Sequence, residues 1–93
     1  MTIDEFNATL KASAPPALSP LLLALWHDAR GDWDKAHALA QDVDDNAGAW
    51  VHAYLHRKEG DLGNAGYWYR RASQPVATDS LDDEWLRIAK ALL

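Results

Sequence analysis

Gly31-Asp32-Trp33-Asp34-Lys35-Ala36 and Gly60-Asp61-Leu62-Gly63-Asn64-Ala65 lie 29 residues apart, and their correspondence decides the fold. In each, a glycine suited to the left-handed end of one helix precedes an aspartate suited to capping the next. The register continues downstream, where Trp33 pairs with Leu62, Ala36 with Ala65, Leu39 with Trp68, Ala40 with Tyr69 and Val43 with Ala72. Upstream, Ala24 pairs with Ala53, Trp26 with Leu55 and His27 with His56. Steps of three and four residues place these positions on one helical face, so Trp33, Leu62, Leu39 and Trp68 are all expected inside. A helix, a Gly-Asp bend and a second helix, used twice, predict two stacked αα-hairpins over residues 18–45 and 46–75.

Flanking signals add a helix at each end. Thr2 and Glu5 have capping-box spacing and open a helix reaching about residue 13, before Pro15 and Pro16. Ser19-Pro20 is a second start signal, for a helix ending near Arg30. Further helices are expected over residues 33–44, 47–59 and 62–74, the last closed by Pro75. Ser80 and Asp83 repeat the capping-box spacing before a helix with Leu81, Trp85, Ile88 and Leu92 as its apolar stripe. No stretch alternates as a half-buried strand does. The expectation is a single all-α domain, residues 1–93, of about six helices.

The strings at Gly31 and Gly60 resemble the inter-helix turn and second-helix opening of tetratricopeptide repeats, with Tyr69 and Ala72 at the aromatic and small positions. The block from His52 to Ala72 also resembles a signature of a small uncharacterised bacterial protein family. The repeat resemblance implies a short right-handed array of hairpins that binds a peptide or protein partner. Its period of 29 residues, from Gly31 to Gly60, is shorter than the roughly 34 of that family. The flanking helices then act as caps, or the Leu81, Trp85, Ile88 and Leu92 stripe serves as a homodimer seam.

Composition narrows the function. The chain has no cysteine, which excludes thiolate metal sites, disulfides and a cysteine nucleophile. The apolar run over residues 21–26 is far below the roughly 20 residues needed to cross a bilayer. Asp4 and Glu5 precede the first lysine, Lys11, the wrong sign for an export signal, so a cytoplasmic location is expected. Net charge is −5, which opposes general nucleic-acid binding. Residues 46–78 nonetheless hold Arg57, Lys58, Arg70 and Arg71 against Glu59 and Asp61.

Two constellations follow. On the fourth helix, Trp50, Tyr54, Arg57 and Lys58 share an arc that would line the concave groove of a tetratricopeptide-like stack. With Tyr67, Arg70 and Arg71 on the next helix they form an aromatic and basic surface suited to an acidic partner. The expected function is a non-enzymatic interaction module with no cofactor. On the opposite arc, His52, His56 and Glu59 have the spacing of metal ligands on one helical face. The alternative is therefore a small-ligand or metal-binding protein, with a hydrolytic activity as its furthest extension. Packing of the two imidazoles against the partner helix competes with that reading. Gly63 and Gly66 follow no strand and precede no lysine, so they do not form a phosphate loop; close helix approach is expected at Gly66.

Overall fold

Six helices form wherever the chain provides a cap and an apolar stripe. The computed structural model describes all 93 residues and contains α1 (Ile3–Thr9), α2 (Pro20–Ala29), α3 (Trp33–Gln41), α4 (Asn46–Glu59), α5 (Leu62–Arg71) and α6 (Leu81–Leu92). Thr2 and Glu5 close a reciprocal capping box. Asp32, Asp45 and Asp61 each accept the amide three residues on, opening α3, α4 and α5. Ser80 accepts from the Asp83 amide at 3.0 Å. Asp83, one methylene shorter than glutamate, makes no return bond, so that box is half closed.

The two Gly-Asp bends share one geometry. Gly31 and Gly60 have φ of 84° and 88°. The Asp32 amide reaches back to the His27 carbonyl at 2.9 Å, and the Asp61 amide to the His56 carbonyl at 3.0 Å. Both are the six-to-one bond of a glycine-terminated helix, formed at the same place in each repeat. Ser73, with φ 57°, makes a third such bend without glycine, and the Gln74 amide returns to the Tyr69 carbonyl. This bend ends α5 at Arg71, three residues before the expected stop.

The chain is all-α. The hairpins α2–α3 and α4–α5 stack through α3 and α4, and α6 lies across α2 and α4. The main core gathers Phe6 from α1, Leu21, Leu25 and Trp26 from α2, Leu55 from α4, and Trp85 and Ile88 from α6. Three tryptophans tie elements together through indole N–H donors: Trp26 to the Thr9 carbonyl, Trp33 to Leu55 and Trp85 to Leu25. A smaller cluster of Ala53, Ala65 and Tyr69 holds the second hairpin together.

Two packing expectations are corrected. Leu62 is 69% exposed, in a first turn of α5 whose residues 62–64 are all exposed. At Gly66 an added Cβ would meet only the mobile end of Arg70 at 3.7 Å, so no helix approaches closely there. Of the Leu81, Trp85, Ile88 and Leu92 stripe, Trp85 and Ile88 are buried in the chain's own core and Leu81 and Leu92 are half-buried. No helix is long and apolar enough to cross a membrane.

Candidate functional site

α4 is the central helix, and its two arcs meet opposite fates. On the arc expected to line a groove, Tyr54 is 2% exposed and donates its hydroxyl to Asp28 Oδ2 at 2.9 Å. Arg57 Nη1 donates to Glu84 Oε1 at 2.9 Å, and its other terminal nitrogen donates to the Asp79 carbonyl. Trp50 is half-buried between the two core clusters, with the Arg87 guanidinium 6.0 Å from its ring. The open groove expected at Trp50, Tyr54 and Arg57 is therefore filled by α6 and the segment before it. The physical reason is Glu84: the acidic partner of Arg57 is supplied by the chain itself.

Tyr67, Arg70 and Arg71 stay exposed on α5. Arg71 donates to the Tyr67 hydroxyl at 3.1 Å, and its guanidinium lies 5.3 Å from the Trp68 ring. Its nearest carboxylate, Asp44, is 3.7 Å away and almost wholly in water, a contact of little energetic weight.

On the other arc, His52 and His56 are buried and stack on each other with centroids 4.8 Å apart. A third imidazole joins them from α3, at a position the sequence reading did not single out. His37 Nε2 lies 2.9 Å from His52 Nε2, and one ring nitrogen from each of the three lies within 4.8 Å of the others. Two tryptophans hold the cluster: Trp33 stacks on His37 at 4.8 Å and Trp68 on His52 at 3.9 Å. The α3–α4 packing that stacks the hairpins is what makes the set.

Glu59, expected as a third ligand, plays a different part. Its Oε1 lies 2.7 Å from His56 Nδ1. A carboxylate there accepts a proton from Nδ1, so the neutral tautomer this contact favours carries its lone pair on Nε2. Glu59 and His56 also approach Asp61, but the Asp61 carboxylate already caps α5 by accepting the Asn64 amide.

Burial disfavours the imidazolium form of His37 and His52. Desolvation, with His37 and His56 adding repulsion, lowers His52 to a pKa of about 4. Burial and the neighbouring His56 also lower His37. Neutral imidazoles are the form that ligates a cation. His52 contributes to the wall of a cleft of about 480 Å³, between the α3–α4 connection and the Trp68 and Arg71 side chains. The rim carries Asp42 and Asp44, whose negative charge favours entry of a cation.

Comparison with protein-family models, curated proteins and solved structures finds no match to this chain.

Proposed function

We propose that this chain binds a divalent transition-metal ion through His37, His52 and His56, with Glu59 orienting His56. The observation that carries the reading is the close approach of three imidazoles, one nitrogen from each within 4.8 Å. In the neutral pair His37–His52 one Nε2 donates a proton to the other. For both to bind an ion, the donor ring changes tautomer, its proton passing to Nδ1, so that both imidazoles stay neutral. Two nitrogens bound at about 2.0–2.1 Å span roughly 2.9 Å at right angles and roughly 3.3 Å in a tetrahedron. The 2.9 Å separation is within half an ångström of either. An all-imidazole set with a carboxylate behind it suits zinc, copper or nickel, whereas calcium and magnesium prefer oxygen donors.

The test is the thermal stability of metal-stripped protein with Zn²⁺, Ni²⁺ or Cu²⁺ added. At one hundred times Kd, binding adds about 2.7 kcal/mol, which raises Tm by roughly 10 °C or more in a domain this size. The rise is expected to vanish in His37→Ala and His52→Ala. No calorimetric heat and no Tm rise with any of the three ions would leave the histidines as packing alone.

A second reading keeps the interaction module but moves it to α5. Tyr67, Arg70 and Arg71 remain exposed there, beside the half-buried Trp68. Titration with an acidic peptide tests it, and binding unchanged by Arg70→Ala with Arg71→Ala would reject that face.

A further inference from the structure

Residues two apart on a helix are separated by about 200°, so Tyr54 and Lys58 face away from His52 and His56. There α4 borders a second, open cavity of about 320 Å³, lined also by the ends of α1 and α2 and the first half of α6. Leu10, Trp85 and Leu86 form apolar walls, and Asp28, Tyr54, Lys58 and Asp82 supply the polar groups. Its volume corresponds to about ten waters at roughly 30 Å³ each, room for a ligand of around ten heavy atoms. Apolar walls with a few convergent polar groups are the usual build of a small-molecule site.

The charges choose the ligand. Asp28 is buried, its Oδ1 accepting from Lys58 Nζ at 2.8 Å and its Oδ2 from the Tyr54 hydroxyl at 2.9 Å. A carboxylate has about four lone-pair sites, so Asp28 retains acceptor capacity. Lys58 and Asp28 cancel in charge. Asp82, exposed in the first turn of α6, makes no ion pair or hydrogen bond and leaves the cavity with one uncompensated negative charge. The Tyr54 hydroxyl senses that field: burial first, then Asp28, with Glu84 and Asp82 adding, raise its pKa far above the ordinary phenol.

We propose that this cavity binds a small amphipathic primary amine, its ammonium held by Asp82 and Asp28 and its apolar body against Leu10, Trp85 and Leu86. An ammonium offers three donors to the free lone pairs of the two carboxylates. An anionic ligand of the same shape would face Asp28 and Asp82, with Lys58 already paired to Asp28, and is disfavoured. The site is independent of the histidine cluster, which lies on the other side of α4.

The experiment is an NMR titration of the full, metal-free chain with tryptamine, its neutral analogue tryptophol and its anionic analogue indole-3-propionate. The Trp85 indole N–H, bonded to the Leu25 carbonyl at 3.0 Å, is the reporter. Tryptamine is expected to give saturable shifts at Trp85 and at the Leu10 and Leu86 methyls. Indole-3-propionate is expected to give none, and tryptophol to bind at least about fivefold more weakly. Asp82→Asn, at an exposed position, should keep the fold and weaken tryptamine about fivefold, and Asp82→Lys should abolish its binding. Absence of saturable tryptamine shifts up to about 10 mM, far weaker than a functional site needs, would overturn the proposal. So would equal binding of tryptophol, or tryptamine affinity unchanged by Asp82→Lys.

Discussion

Tyr69 donates its hydroxyl to Glu84 Oε2 at 2.6 Å, and this bond ties the second hairpin to a carboxylate of α6 that has no exposure to water. Arg57 holds the other oxygen of Glu84 at 2.9 Å. The same device recurs between α2 and α4, where Asp28 takes the Tyr54 hydroxyl and the Lys58 ammonium. Two acids, two tyrosines and two bases thus fix α4 to α5, α6 and α2. Burial and the bonded carboxylates raise both tyrosine pKa values, so both hydroxyls remain donors at neutral pH.

Glu84→Ala leaves the Arg57 guanidinium and the Tyr69 hydroxyl without their buried partner. Breaking a buried pair from one side costs about 3–5 kcal/mol, a large share of the roughly 5–15 kcal/mol that holds a small domain folded. Urea unfolding should show a midpoint collapsed towards zero denaturant. Tyr69→Phe removes one hydrogen bond and should cost about 1–3 kcal/mol. A Glu84→Ala protein as stable as the parent would mean that the clamp does not hold α6.

Glycines separate in the opposite direction. A Cβ at Gly48 would sit 1.9 Å from the Val43 carbonyl oxygen, where the α3–α4 connection crosses the start of α4. Gly48→Ala must push backbone apart and should destabilise by about 1–3 kcal/mol, as overpacking does. At Gly63 nothing lies within 4 Å of an added Cβ. Gly63→Ala in that helix should therefore stabilise by about 0.5–1 kcal/mol. Denaturant midpoints moving the same way for both would contradict this placement of Gly48.

The hairpins were legible because the Gly31 and Gly60 bends depend on local conformation, and local conformation is written in adjacent residues. The histidine cluster was legible only in part. His52 and His56 share a helical face at i and i+4, but His37 joins them only through the crossing of α3 over α4, which periodicity does not encode. The loss of the groove has a signal in hindsight: Glu84 falls on the same arc as Leu81 and Ile88, and an acid inside an apolar stripe marks a buried ion pair. Leu62 misled because its repeat counterpart Trp33 is held against α4 by an indole bond to the Leu55 carbonyl, which a leucine cannot make.

Acid should weaken the metal-free protein through His52. The unfolded imidazole titrates near 6.5, whereas burial, His37 and His56 lower the folded one to about 4. Above about 6.5 both states are neutral and this contribution is fully present. As pH falls to about 4 the unfolded chain takes up a proton that the folded chain refuses, so stability declines through that window, by at most about 3 kcal/mol. His52→Phe, which cannot take that proton and can still stack on Trp68, should flatten the profile of urea midpoint against pH. A profile for His52→Phe as steep as the parent's would place the acid sensitivity elsewhere.

Glu59→Gln distinguishes an orienting carboxylate from a ligand. In the observed geometry Glu59 touches His56 Nδ1 and keeps Nε2 available for the ion. Replacing it by an amide preserves shape, removes the charge and loosens the tautomer preference. Loss of such an outer partner typically weakens metal affinity about 10–100-fold. The Co²⁺ absorption spectrum should then keep its shape and the one-to-one stoichiometry, with only the affinity reduced. His37→Ala should instead change the spectrum or abolish binding, because a nitrogen donor is lost. If Glu59→Gln altered the spectrum and His37→Ala did not, the ion would sit at His56, Glu59 and Asp61 on the rim of the Gly60 bend, and the three-imidazole assignment would fall.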